Sequence, residues 1–345
     1  MNAHGSLGPP LKVMMTGLSQ CLWRKLASKI IHRHFHTSNK RSVHAACKLS
    51  TRGVLRLSGK DTASFLQGLV TNDVQQLVEK SPSIQYSMML NVQGRVLYDL
   101  FLCNVSEGPD SPMTVLVDVD STVRDELAKI FKKYKLRKKV DISDVTDEYT
   151  VWSEFQTGES SEKSVTPSYP SDAFCFHDPR VPVFANRILT HGDNIGELKT
   201  VDEKEYRVHR YLWGIPEGVN DLPPGNCLPL ESNLAFMNGV NFQKGCYIGQ
   251  ELTARTFHTG VTRKRLMPLT LDSDATIDRD STISTEKGKN AGKFRSNEGT
   301  TGLGLLRLAH VKDTLSVMGS DGQSVTLTCE VPSWWPANVV TASSS

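Results

Sequence analysis

Lys244-Gly245-Cys246-Tyr247-Ile248-Gly249-Gln250-Glu251 places a thiol, a cation, an amide and a carboxylate around two glycines within eight consecutive residues. Its apolar positions follow neither the 3.6-residue period of a packed helix nor the alternation of a half-buried strand. The glycines point instead to a tight backbone path that brings main-chain amides close to a ligand or partner. Cys246 is the candidate reactive group. A free thiol with a pKa of ~8.5 is only about 7 % thiolate near neutrality, so cations at its side decide its chemistry. Lys244, Arg255 and Arg263-Lys264-Arg265 are the cations expected to supply that field. The alternative is a small apolar cysteine filling a turn, beside a Lys244–Glu251 surface pair worth ~0–1 kcal/mol. The residues alone leave both open.

Upstream of this segment, the pattern of short apolar runs and turns reads as α+β with much antiparallel pairing. Residues 53–58 read as a strand, and 60–69 as a short helix with Phe65, Leu66 and Leu69 inward. Ile84 to Leu90, the turn Asn91-Val92-Gln93-Gly94 and Arg95 to Cys103 form a β-hairpin pattern. A strand over Met113 to Asp118 follows. Thr122-Val123-Arg124-Asp125 then offers a capping box for a helix with a Leu127, Ile130, Phe131 and Tyr134 stripe. Val140 to Ile142 starts a further strand. Gly158 to Asp172 reads as an exposed loop, and Pro223 to Pro229 as an irregular lead-in to the signature. Beyond Lys264, strands separated by glycine turns suggest a small β-domain ending near Trp335.

Charge divides the chain unevenly. Residues 1–60 hold 11 Lys/Arg and no acid, whereas the other 285 residues carry 29 basic and 37 acidic groups. Such a leader has the composition of a mitochondrial targeting segment, and Arg33-His34-Phe35 resembles a matrix-peptidase site. No apolar run reaches the length of a membrane span, so no membrane partner is expected. Seven cysteines without a C-x-x-C pair argue against a zinc site or a disulfide framework. An iron-sulfur cluster usually takes four protein thiolates, and this chain shows no such set. Residues 129–139 hold seven cations, read as the solvated face of a helix with no nucleic-acid motif beside it. P-loop, G-x-G-x-x-G, G-x-S-x-G and H-E-x-x-H motifs are absent, which removes nucleotide-driven, serine-hydrolase and zinc-protease readings.

Pro229-Leu230-Glu231-Ser232-Asn233, the eight-residue segment and Arg255 together resemble the signature of the YgfZ-type relatives of the glycine-cleavage aminomethyltransferase. The resemblance is to the mitochondrial branch that acts in iron-sulfur cluster assembly. It extends through Asn91 to Arg95, Arg137-Lys138-Lys139-Val140 and residues 239–265, and covers most of residues 52–335. It implies a three-domain aminomethyltransferase-like ring with a ferredoxin-like unit and a C-terminal β-barrel. The expected division is a targeting segment at 1–35, a folate-binding-type core at 48–79 plus 146–260, the ferredoxin-like unit at 80–145, the barrel at 261–338 and a tail at 339–345. Lys244, Gly245, Cys246, Tyr247, Gly249, Gln250, Glu251 and Arg255 carry the signature, and Asn91, Arg95, Asp99 and Glu231 are the folate-type cavity candidates.

Two departures from the aminomethyltransferases bear on chemistry. Tyr98-Asp99 stands where those enzymes carry paired acids, and Leu212-Trp213-Gly214 where they place a pterin-binding glutamate. Proton handling on a reduced folate therefore lacks an obvious player. The resemblance implies a matrix factor for late iron-sulfur cluster assembly, an assembly factor more than a classical enzyme. It would support maturation of 4Fe-4S proteins beside A-type scaffold proteins and be a monomer when alone. Cys246 would be one ligand of a cluster shared with the partner, and tetrahydrofolate the candidate cofactor. The alternatives are a folate-dependent one-carbon transferase and a non-catalytic scaffold whose signature is structural.

Overall fold

The computed structural model describes residues 41–108, 111–160, 168–337 and 339. The leader expected over residues 1–35 lies outside them. Three sheets organise the described chain. The first contains β1 (Arg41–Lys48), β7 (Tyr149–Ser160), β8 (Phe174–His177), β9 (Asn186–His191) and β10 (Lys199–Val201), in the order β10-β1-β7-β9-β8. The second contains β2 (Arg52–Ser58), β3 (Ser83–Leu90), β4 (Val96–Asn104), β5 (Thr114–Asp120) and β6 (Asp141–Asp144), antiparallel throughout in the order β3-β4-β5-β2-β6. This sheet crosses the boundary expected at residue 80, because β2 pairs with both β5 and β6.

The second sheet is buried on both faces, which is why β4 reads as a nearly continuous apolar run. Tyr98, Leu100 and Leu102 pack with Phe65 and Leu66 of α1 (Thr62–Gln67), Val74 and Leu77 of α2 (Val74–Val78) and Leu127 and Phe131 of α3 (Arg124–Lys135). Phe101 and Cys103, on the opposite face, join Cys47, Val151, Phe155 and Leu189 of the first sheet. Burial of each such Leu or Phe contributes about 1.5–3 kcal/mol. Asp99 shares that inter-sheet face and breaks the apolar pattern.

Two local expectations need correction. The first turn before α3 is capped by Asp120, not Thr122: its Oδ1 accepts from Thr122 N at 2.9 Å and from Thr122 Oγ1 at 2.6 Å. An ionised carboxylate is the stronger acceptor, so the hydroxyl becomes a donor to it. Tyr134, expected in the buried stripe, is 38 % exposed because the helix ends at Lys135 and the core stops at Phe131. In addition, β7 runs through Ser160 in register with Arg41, past the expected loop start at Gly158.

The third sheet is a closed barrel of β11 (Lys264–Leu271), β12 (Thr282–Thr285), β13 (Asn290–Glu298), β14 (Thr301–Arg307), β15 (Leu315–Met318) and β16 (Ser324–Cys329), in the order β11-β14-β13-β12-β15-β16. Closure leaves no edge to aggregate. Register shifts between Ile283 and Ser284 and between Phe294 and Ser296 bend the strands that close it. Between the first sheet and the barrel lie α4 (Glu203–Leu212) and α5 (Gly218–Asp221), and α6 (Gln250–Thr259) follows the signature. Among the described residues, no helix is long and apolar enough to cross a membrane.

Candidate functional site

The signature loop is held to the rest of the chain at three points. Lys244 is only 8 % exposed, and its Nζ donates to the carbonyls of Gln67, Val70 and Asn72 at 2.8, 2.7 and 2.7 Å. Three donors on the ammonium meet three acceptors on the turn between α1 and α2. Burial pushes its pKa down to about 8. The Tyr247 ring lies 5.1 Å from Lys244 Nζ, with its phenol pushed up to about 12 by burial. Second, Ile248 N donates to Gly68 O at 3.1 Å.

The third point joins two motifs that lie far apart in sequence. Gly249 has φ +78°, and a Cβ there would stand 2.3 Å from Asn91 O and 3.1 Å from Gly94 Cα. Gly94, also at φ +78°, would place a Cβ 2.9 Å from Gly249 O. Only glycine on both sides permits this main-chain approach. Asn91 fixes the hairpin turn by accepting from Gln93 N at 3.0 Å and Arg95 N at 2.9 Å. On the other side, Gln250 Oε1 accepts from Tyr247 N at 3.2 Å at the start of α6.

Gly245 and Cys246 remain exposed at the apex of this clamp. Three of the five cations expected to polarise the thiol have other partners. Lys244 is consumed by the three carbonyls. Arg265 is buried with its guanidinium 3.9 Å from the Phe236 ring centre and Nη1 on Leu230 O at 2.8 Å. Arg255 stands 3.9 Å from Glu251 one helical turn away, both well exposed. Such a pair contributes ~0–1 kcal/mol. The clamp therefore fixes where Cys246 sits and leaves its chemistry to whatever approaches from outside.

No group of three or more His, Cys, Asp or Glu among the described residues is arranged to hold a metal ion. Cys47, Cys103 and Cys227 are buried, and burial pushes their thiols up, Cys47 to about 12. Those three are packing residues. An exposed apolar rim lies on the elements flanking Cys246: Phe242 and Phe257 stack with ring centres 3.6 Å apart, Phe257 is 49 % exposed, and Val92 and Val261 are exposed too. Sequence reasoning missed this rim, since its members are scattered singly along the chain.

Most of the molecule's charged chemistry lies elsewhere, between the first two sheets. Asp118 accepts from Arg52 Nε at 2.6 Å and from Arg187 Nε at 2.8 Å. Glu217 Oε2 takes Arg180 Nη1 at 2.8 Å, Arg187 Nη1 at 3.1 Å and the Tyr206 hydroxyl at 2.9 Å. The Arg187 and Arg180 guanidiniums lie 4.1 and 4.8 Å from the centre of the Phe101 ring. Burial opposes ionisation of Glu217, yet Arg187, Arg180, Arg52 and Arg210 outweigh it and hold the carboxyl well below its ordinary range. The sequence offered no signal for this network, whose members are scattered from Arg52 to Glu217.

Of the four folate-type candidates, Arg95 and Glu231 act on each other, whereas Asn91 and Asp99 are bound up elsewhere. Asn91 is used by its turn. Arg95 Nη1 donates to Asn226 O at 2.8 Å, while Glu231 is half-buried and burial pushes its carboxyl up against the pull of Lys264, Arg295 and Arg95. Asp99 is 2 % exposed inside the charged network, with Oδ1 on Gly218 N at 3.0 Å and Oδ2 facing Arg52 at 3.4 Å. Burial pushes its pKa up. Tyr86 and Phe101 on the same inter-sheet face are fully buried. Protein side chains fill the space around Asp99, so these residues do not fit a reduced folate there.

Comparison with known proteins places these features. Residues 24–153 match the family model described as the GCVT N-terminal domain, and residues 263–337 that of the CAF17 C-terminal beta-barrel domain. The iron-sulfur cluster assembly factor IBA57, mitochondrial, of Mus musculus is 41 % identical over 306 residues, spanning 84 % of this chain and 85 % of that protein. The Homo sapiens protein of the same name is 41 % identical over 311 residues, 85 % of each chain. A crystal structure of glycine cleavage system aminomethyltransferase T from Bartonella henselae superposes with a TM-score of 0.64 at 14 % identity, over 86 % of this chain and 87 % of that one. At that identity the likeness speaks to fold alone.

Proposed function

The chain belongs to the IBA57 family of mitochondrial iron-sulfur cluster assembly factors, and on that premise we propose that Cys246 is its contribution to a cluster shared with a partner. The partner is an A-type scaffold protein in the matrix, and the cargo goes to 4Fe-4S proteins late in the assembly sequence. One observation carries this reading: an exposed thiol fixed by a buried lysine and a glycine-to-glycine contact, with no group of three or more metal-ligating side chains around it among the described residues. A cluster usually needs four ligands, so the rest must come from another chain. The Phe242–Phe257 stack and Val261 give that chain apolar surface to cover.

The fold is folate-related, yet the carboxylate expected to serve a folate is sequestered by Arg52 and Gly218. We therefore assign folate no step in the function. The test is anaerobic reconstitution with a candidate A-type scaffold, followed by absorption and size. A coloured heterodimer that disappears with Cys246→Ala is the expected result. Full support of 4Fe-4S enzymes by Cys246→Ala in depleted cells would sink the role of the thiol.

A further inference from the structure

The cationic run of residues 129–139 ends in a feature that a solvated helix face does not explain. Leu136, directly after α3, is 85 % exposed and adopts φ +48° and ψ −113°. Glycine enters that region freely, whereas a leucine is strained there. An exposed apolar side chain in a strained conformation is unfavourable on both counts for the folded chain alone. Around it, Lys129, Lys132, Lys133, Arg137 and Lys139 are exposed, with Lys135 and Lys138 half-buried. Among the described residues, only Lys129 of these seven has a carboxylate within 4.0 Å, that of Glu126. Tyr134, Lys135, Leu136, Arg137 and Lys138 line an open groove of about 530 Å³ with Asp61, whose carboxylate already accepts from Lys139 N.

We propose that this tip docks peripherally on an anionic lipid bilayer, with Leu136 entering the interface and the surrounding cations on the headgroups. Charge complementarity selects an anionic surface, and the protruding leucine with a tyrosine at its side selects a lipid one. A purely acidic polypeptide would be satisfied by the cations and would leave Leu136 in water. The expectation of no membrane partner came from the lack of a long apolar run, a criterion that cannot register a peripheral patch. The site shares no residue with the clamp around Cys246.

The purified chain should co-sediment with phosphatidylcholine vesicles containing cardiolipin, not with phosphatidylcholine alone, and salt should weaken the binding. Lys132→Glu with Lys133→Glu should lower the affinity roughly a hundredfold. Leu136→Gly is the decisive variant. It should lower affinity about tenfold while leaving Tm equal or higher, because glycine relaxes the backbone at that position. Absence of cardiolipin-dependent sedimentation at low salt overturns the proposal. Undiminished binding by Leu136→Gly, or binding to polyglutamate in place of vesicles, overturns it too.

Discussion

Between the first two sheets, Arg52, Arg180 and Arg187 are buried with Asp99, Asp118, Asp178 and Glu217, whereas at the rim one lysine holds three carbonyls and leaves a thiol facing outward. The centre has nearly every group a catalytic site requires, and nearly every one is paired with another group of the same chain. Asp99, left facing a single guanidinium at 3.4 Å, is the carboxyl whose pKa burial raises. The rim has almost no chemistry of its own, but what it has is accessible and fixed. Density of polar groups is thus a poor guide to function here; a group that is held in place yet unsatisfied is a better one.

Breaking the centre should have the largest effect on stability. Arg187→Met removes a partner from both Asp118 and Glu217. An uncompensated buried charge typically costs about 3–5 kcal/mol, and Arg187→Lys should rescue little because it lacks the planar fork. Denaturant midpoints measure this. A loss below about 1 kcal/mol would mean that the network is wet or loosely paired, and the contrast with the rim would fail.

A pH titration probes the same interior by another route. His209 is stacked between Phe155 and Phe184, and burial lowers its pKa from 6.5 to about 4. Above pH 6.5 the imidazole is neutral in both states and makes no difference. As pH falls below that value, the unfolded chain takes up a proton that the native chain refuses until about pH 4. Stability is therefore lost on acidification across that window, by roughly 3 kcal/mol. His209→Gln should flatten this acid limb; an unchanged slope would show that other groups govern it.

How far these regions were legible in the sequence follows from the range of the interactions. The hairpin around Asn91 to Gly94 and the β-rich tail were readable because turn residues and alternation are local signals. Asp120 takes the place of Thr122 as the cap because β5 runs two residues beyond Asp118 and ends at the carboxylate itself. Lys244 departs from its sequence expectation for a different reason: it lies two residues from Cys246, yet its side chain turns to carbonyls at positions 67–72. The Gly94–Gly249 approach and the Arg52–Asp118–Arg187 set join residues far apart along the chain, which no local pattern records.

Gly249→Ala tests whether the rim is as firmly built as it is sparse. A Cβ 2.3 Å from Asn91 O at φ +78° cannot be accommodated without moving the loop or the hairpin tip. The expected cost is about 2 kcal/mol, with partner affinity lowered as well. Gly94→Ala should cost less, and the double variant should fall short of the sum, since the first displacement already opens the contact. Additive losses would show that the two glycines serve separate purposes.

Cys246→Ser should have the smallest effect on stability and so sharpens the comparison most. The thiol is exposed, and substitutions at such positions usually stay within ±0.5 kcal/mol. If the loop is a clamp built to present one ligand, Tm and denaturant midpoint should match the parent while the shared cluster is lost. A destabilisation of about 2 kcal/mol or more, with partner binding intact, would instead make Cys246 a packing residue of the domain junction. The two outcomes separate because Lys244, Ile248 and Gly249 hold the loop without any help from the sulfur.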